Sequence, residues 1–323
     1  MRLFVHEIVC AGGLGAAPGS LRAEGLAMLA AVAVDFAAAG AEVTTLLTPD
    51  CPEIPGIRCE RDQLADETKN FDRLVAKSDA VLVIAPEFDD HLLHRSQRIL
   101  ELGRDLLGCS PDAVRLAGDK LELGRRWQSL GVPTPATESA SSEPPDIYPV
   151  VLKPRHGAGS IATRRIGRRA DWPAVWAEFT GSMPEFVVQP YHPGRAASIA
   201  FLVAGDTKIP LEPAEQILST DGRFAYLGGR FPMSPADAER ARRLGERALA
   251  GIVGLAGYVG VDLVLGVSEA DDVVLEVNPR LTTSYVGLRQ RTSRNLAQVW
   301  IDLRVGRAIE PIEWSRTAFE FRI

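Results

Sequence analysis

The sequence has little of the material that several large protein classes require. Its four cysteines, Cys10, Cys51, Cys59 and Cys109, form no C-x-x-C pair and keep no ligand spacing with histidine. Neither a disulfide scaffold nor a structural zinc site is expected, and the thiols read as reduced and independent. No run approaches the roughly 20 apolar residues that cross a bilayer. The opening MRLFVHEIV places His6 and Glu7 inside a short strand, which does not read as a signal peptide, so the expected location is the cytoplasm. An excess of basic residues is missing too. A formal net charge of -6 argues against a nucleic-acid binder that works through a broad positive surface. It leaves room for a local cluster of Lys, Arg and a divalent cation around a nucleotide. The P-loop pattern G-x-x-x-x-G-K-[ST] is absent, and no internal repeat is found.

What is present is an ordinary globular balance: 323 residues, 24% charged and 46% hydrophobic, enough for two or three packed subdomains. The first third alternates strand and helix. Strands are expected at 2–9, 41–48 and 80–85, with helices at 20–39 (Ser20 as cap, Gly40 as stop), 71–77 and up to about 104. That order implies a parallel sheet covered on both faces. Near Pro111 the pattern changes. A helix over 112–130 is followed by a Ser- and Pro-rich connector at 139–149, then by short strands at 150–154, 161–166, 186–190, 197–203, 258–266 and 273–277. Helices at about 171–179 and 235–255 separate some of these. The fold class is therefore α/β, turning α+β toward the C-terminus, with units expected at 1–111, 112–190 and 191–323.

The strongest chemical signal is a pair of apolar segments, Tyr258-Val-Gly-Val-Asp262-Leu-Val and Val273-Val-Leu-Glu276-Val-Asn278-Pro-Arg280. Residues two apart in a strand share a face, so Glu276 and Asn278 point together while Leu275 and Val277 bury on the other side. If the strands pair about a turn near Glu269, Asp262 lies opposite Glu276. Three oxygen-bearing side chains then converge, as suits Mg²⁺, with phosphate and water completing the shell. An acidic sheet face in water would explain either carboxylate alone, but it explains poorly an Asn and an Arg on so apolar a hairpin. A second signal is Val150-Val-Leu-Lys153-Pro-Arg155-His-Gly157-Ala-Gly159-Ser160, a strand ending in lysine and a glycine turn that suits a phosphate-covering flap. The same turn loosely fits G-x-G-x-x-A, but Ile161 to Ile166 alternates like a strand, where the dinucleotide fingerprint requires a helix. Asp119-Lys120, the Phe186 to Gly194 segment with Gln189-Pro-Tyr191, and Gln216 are weaker candidates. His91 and His94, three apart beside Asp89 and Asp90, are better read as a solvated helix face than as a metal site.

Taken in order, Lys120, Lys153 with its glycine loop, the Gln189–Tyr191 strand end, Asp262 and Glu276-x-Asn278-Pro-Arg280 resemble the ATP-grasp superfamily over most of the chain. Leu130-Gly-Val-Pro133-Thr-Pro135 after Asp119-Lys120 adds to that resemblance. It implies an ATP-grasp fold behind an N-terminal parallel-sheet domain. It also implies ATP and two Mg²⁺ ions (or Mn²⁺ in their place), the ions held by Asp262, Glu276 and Asn278. Lys120, Lys153, Gly157, Gly159 and Ser160 would hold the phosphates, and Val188, Gln189 and Tyr191 would border adenine. Arg280 would act with Lys153 in catalysis. One departure is Gln189-Pro190, where many members carry an acidic residue.

The segments Phe4-Val-His6-Glu7 to Leu14, Ala85-Pro-Glu87-Phe88 and Asn278 to Gly287 are similar to the tyramine–glutamate ligase group of methanofuran biosynthesis, with His6 where an aromatic is expected. This narrower resemblance implies a carboxylate–amine ligase acting in one-carbon coenzyme synthesis, with glutamate as donor and tyramine or tyrosine as amine. Glu7, Gly12, Gly13, Glu87, Thr282, Thr283, Ser284 and Tyr285 are the expected substrate contacts. The expected partners are these small molecules, a second copy of the chain, and neither nucleic acid nor membrane. Two other readings stay open: a dinucleotide-dependent oxidoreductase, and a nucleotide sensor without catalysis.

Overall fold

The computed structural model of the chain describes residues 1–15, 19–61, 66–179 and 185–322. The N-terminal alternation builds β1 (Arg2–Glu7), α1 (Gly19–Ala38), β2 (Glu42–Leu47), β3 (Arg58–Arg61), α2 (Glu67–Lys77), β4 (Ala80–Ile84), α3 (His91–Glu101) and β5 (Asp105–Leu106). The strands lie in the order β3-β2-β1-β4-β5, and every pairing is parallel. Parallel neighbours need crossover helices, which cover both faces, and β4 is buried along its whole length. The strand order changes direction between β1 and β4, so their carboxyl ends open a crevice where such sheets take ligands. Glu7 sits at that edge. Gly40, at φ +85°, turns the chain out of α1. The expected cap, Ser20, falls one residue inside α1, and its side chain lies outside the described residues.

The single helix expected over 112–130 is two: α4 (Pro111–Gly118) and α5 (Lys120–Ser129). Asp119 between them is extended (φ −98°, ψ 97°), and its carboxylate caps α5 by accepting from the amides of Leu121 and Glu122. There follow β6 (Glu138–Ser139), β7 (Val150–Pro154), β8 (Arg164–Ile166), α6 (Trp172–Phe179) and β9 (Phe186–Pro190), the strands forming an antiparallel sheet in the order β6-β9-β7-β8. Val150, Leu152, Ile166, Trp172, Phe186 and Val188 pack a core of their own beneath it.

The remainder runs β10 (Arg195–Ala204), β11 (Thr207–Pro210), β12 (Ala214–Leu218), β13 (Tyr226–Phe231), α7 (Pro235–Leu249), β14 (Gly257–Leu265), β15 (Val273–Asn278), α8 (Ser284–Leu288), α9 (Leu296–Arg304) and β16 (Phe319–Arg322). Its sheet is antiparallel, in the order β15-β14-β10-β12-β13-β16, with β11 against β10. Helix α7 stops at Leu249 rather than near 255, because Ala250 turns extended and Gly251 is left-handed at φ +82°. This sheet and the parallel sheet share apolar clusters, with Phe4 and Val81 of one in the same core as Val259 and Val261 of the other. Asp35 of α1 fastens the two by accepting from Tyr285 Oη (2.8 Å), the Arg289 guanidinium and Asn295 Nδ2 (2.8 Å). No helix among the described residues is long and apolar enough to cross a membrane.

Candidate active site

The β14–β15 hairpin turns through Glu269–Asp271, and its register sets Asp262 opposite Glu276 and Gly260 opposite Asn278, as the sequence pattern predicts. One neighbour departs from that pattern. Leu263 pairs with Val274, so Leu275 is the extra residue of a bulge and lines the cavity beside Glu276 instead of burying on the far face. A bulge re-aims side chains in this way. Asp262 Oδ2 accepts from Asn278 Nδ2 at 2.9 Å and Oδ1 from Gln216 Nε2 at 2.8 Å. Burial pushes the Asp262 carboxyl well above its usual range, and the Glu276 charge beside it adds to the shift. Burial works against ionisation of Glu276 also, but Lys120, 3.5 Å from Glu276 Oε2, and then Lys153 outweigh it and hold that carboxyl low. Burial brings Lys153 itself down to about 8, with Lys120 adding and Glu276 opposing.

Two crowded carboxylates and an amide therefore face two lysines. The donors are hard oxygens, and among the described residues no group of three or more His, Cys, Asp or Glu gathers as a cage. An incomplete oxygen set of this kind fits Mg²⁺, which keeps water and phosphate oxygens in its shell.

Lys120 opens α5, and its Nζ donates to Gly157 O at 2.8 Å, so the helix start is fastened to the glycine loop. Arg155 at the base of that loop grips both oxygens of Asp119, at 2.8 and 2.6 Å. This tertiary partner explains why the helix breaks at Asp119. Gly157, Gly159 and Ser160 line the cavity, with Gly159 and Ser160 at φ +65° and +58°. β7 and β8 form an antiparallel hairpin around the loop, so the strand–turn–helix of a dinucleotide fingerprint is not there. At the end of β9, Gln189, Pro190 and Tyr191 line the cavity, whereas Val188 packs into the core beneath the sheet. Gln189 Nε2 donates to Thr137 Oγ1 at 2.7 Å. Tyr191 meets the Arg165 guanidinium, 4.5 Å from its ring centre, and the Phe224 ring, stacked at 6.2 Å.

Lys120, Lys153, the glycine loop, Gln189, Tyr191, Asp262, Glu276 and Asn278 border one cavity of about 690 Å³ that reaches the edge of the parallel sheet. Arg280 lines it and is gripped through two nitrogens by Glu87, at 2.9 and 3.1 Å. Glu87, expected among the substrate contacts, does not line the cavity and stands behind Arg280. Glu7 does line it, with Oε2 accepting from the Cys10 amide at 2.7 Å. Gly12 and Gly13 do not. Gly12, at φ +88°, turns the loop, and a Cβ on Gly13 would strike Ile8 at 2.6 Å. Thr282, Thr283 and Ser284 line the cavity, and Thr282 and Ser284 share a triangle of hydroxyls with Tyr258 (2.8–3.1 Å). Tyr285, expected with them, is fully buried and turned away toward Asp35. Among the residues that the sequence reading did not single out, Glu24, Arg165, Phe224 and Tyr226 line the cavity, and Arg155 stands at the loop base.

Residues 117–284 match the family described as the ATP-grasp domain, and residues 42–114 match the pre ATP-grasp 3 domain. Tyramine–L-glutamate ligase of Methanocaldococcus fervens is 29% identical over 70% of this chain and 66% of its own length; that of Methanocaldococcus jannaschii is 27% identical over 69% and 62%. The chain thus spans slightly less than two thirds of these curated relatives. D-alanine–D-alanine ligase of Stutzerimonas stutzeri is 30% identical over 51% of this chain and 56% of its own. An ATP-grasp superfamily protein from Archaeoglobus fulgidus superposes with a TM-score of 0.75 at 26% identity, covering 97% of this chain and 90% of that one. An L-amino acid ligase from Bacillus licheniformis shares the fold at a TM-score of 0.70 and 15% identity, over 94% and 74%. With the matched family running through both lysines and the whole β14–β15 hairpin, the chain belongs to the ATP-grasp family.

Proposed function

We propose that this chain is an ADP-forming ligase that joins a carboxylate to an amine through an acyl phosphate. The observation that carries the reading is the convergence of Asp262, Glu276 and Asn278 with Lys120, Lys153 and Arg280 in one cavity. Phosphoryl transfer asks for positioning and charge neutralisation more than for covalent work by the protein. Lys120 and Lys153 hold ATP phosphates, with Gly157, Gly159 and Ser160 closing over them, while Gln189 and Tyr191 border the adenine. Asp262, Glu276 and Asn278 are the residues to hold two Mg²⁺ ions, or Mn²⁺, which when bound neutralise phosphate charge. Arg280, fixed by Glu87, orients the acceptor carboxylate and then stabilises the oxyanion formed when the amine attacks the acyl phosphate. The glycine loop excludes water, which would otherwise consume that intermediate.

The tyramine–L-glutamate ligases among the relatives support glutamate as the carboxylate and tyramine or tyrosine as the amine, and the setting we propose for this step is cytoplasmic synthesis of a methanofuran-like one-carbon coenzyme. An ADP-release assay with glutamate paired against tyramine, tyrosine and other amines tests this. Stimulation by one pair supports the reading. Activity with other carboxylates and amines alone removes these substrates, and ADP release with no pair removes the ligase.

A further inference from the structure

The cavity is polar in charge along its length. Every lysine and arginine on its wall stands at the nucleotide end or at its centre: Lys120, Lys153, Arg165, Arg195 and Arg280. At the other end, formed by β1, α1 and the start of α8, the charged groups are Glu7 and Glu24. Helix α1 presents Leu21, Glu24, Gly25 and Met28 to the cavity, at the i, i+3, i+4, i+7 spacing of one helix face. Gly25 lets this face lie directly on Glu7, since a Cβ there would come within 2.6–2.8 Å of the carboxylate.

The two acids differ in what satisfies them. Glu7 is almost fully buried and accepts the Cys10 amide. Glu24 is half-buried and accepts only the Thr283 hydroxyl, at 3.2 Å, and it ion-pairs with no Lys or Arg among the described residues. Burial raises its carboxyl above the usual range, against the Thr283 hydrogen bond and the field of Arg280. Tyr226 stands close enough to feel its charge. A partly desolvated carboxylate between apolar Leu21 and Met28 is costly unless a cation meets it.

We infer that Glu24, with Glu7 behind it, recognises an ammonium group on the substrate whose reacting end lies at Arg280, making Glu24 a specificity-determining residue. This assignment rests on the ligase reading above. A bipolar substrate matches the bipolar wall: its carboxylate lies toward Arg280, its ammonium on Glu24, and its carbon chain along Leu21 and Met28. The ammonium is that of an amino-acid carboxylate donor, since an acceptor such as tyramine carries its one nitrogen at the reacting end.

The test uses the whole chain and compares wild type with Glu24→Gln and Glu24→Lys. Glutamate, glutarate and ATP are offered with hydroxylamine, which traps the activated carboxylate as a hydroxamate, and separately with tyramine. If the donor's ammonium is read, Glu24→Gln raises the KM for glutamate in the trapping reaction about tenfold or more, with the KM for ATP held within about twofold. Its preference for glutamate over glutarate then collapses, and Glu24→Lys reverses that preference. Unchanged trapping with a raised KM for tyramine alone overturns the assignment, because tyramine's one nitrogen is the attacking group. Unchanged KM for both, or an equal loss for every substrate including ATP, overturns the assignment while wild-type turnover keeps the ligase. A wild type that turns over no carboxylate removes both.

Discussion

The two ends of the cavity are built on opposite plans. At the nucleotide end the carboxylates and Lys120 already have partners within the chain: Lys120 meets Glu276, and Asp262 is held by Asn278 and Gln216. These groups stand on paired strands and on a capped helix start, so they are set before any ligand arrives, which is what electrostatic stabilisation of a transition state requires. At the acidic end, Glu24 rides on one helix and holds only a hydroxyl. One end is preorganised for chemistry common to many substrates; the other leaves a charge for the particular substrate to answer. Changes at the first end should therefore damage turnover of every substrate, and changes at the second should alter the choice among them.

The largest effect is expected from Glu276→Ala, which removes half of the carboxylate pair. ADP formation should fall by about a thousandfold with any acceptor, read by coupled ADP release. Retained turnover would place the reacting phosphate elsewhere. Next comes Glu87→Ala, which deprives the buried Arg280 guanidinium of its ion-pair partner. A loss of about 3 kcal/mol in unfolding free energy is expected by denaturant titration, with a fall in kcat that Glu87→Gln restores in part.

A smaller effect concerns pH. Lys153, lowered to about 8 in the free protein, is charged below that value and neutral above it. Phosphate favours the charged form, so ATP binding takes up a proton above pH 8, and affinity falls by up to about tenfold per pH unit there. Calorimetric titration at pH 7 and pH 9 reads this, and Lys153→Met should remove the slope. A flat profile in the wild type would detach Lys153 from the phosphates. The smallest change is expected for Tyr285→Phe. Losing the hydrogen bond to Asp35 should cost about 1 kcal/mol of stability while kcat/KM stays at the wild-type value. A marked rise in substrate KM would return Tyr285 to the cavity wall.

The nucleotide end was legible because its signal is local. Asp262, Glu276 and Asn278 lie on adjacent strands of one hairpin, and strand alternation alone brings them together. The bulge at Leu275 was not legible, since nothing in VVLEVN distinguishes a paired leucine from an extra one. Glu24 gave no signal either. It sits in an Ala- and Leu-rich helix whose position over Glu7 follows from the β1–α1–β2 crossover and not from neighbouring residues. The break at Asp119 was hidden for a related reason: helical pattern continues on both sides, and the distant Arg155 holds the carboxylate in the cap. β13 was missed because Gly228 and Gly229 weaken its strand character.

The grip of Glu87 on Arg280 joins residues 193 positions apart, one just past β4 of the parallel sheet and one just past the hairpin that ends at Asn278. Its consequence concerns inheritance. A chimera that grafted residues 112–323 onto a foreign N-terminal domain would carry an arginine tuned to an acceptor it had lost. Exchange of the N-terminal region for a new specificity is open only to donors that keep a glutamate just past their fourth strand. Any such exchange must therefore move Glu87 and Arg280 together, while substitutions on the face of α1 around Glu24 leave that pair intact.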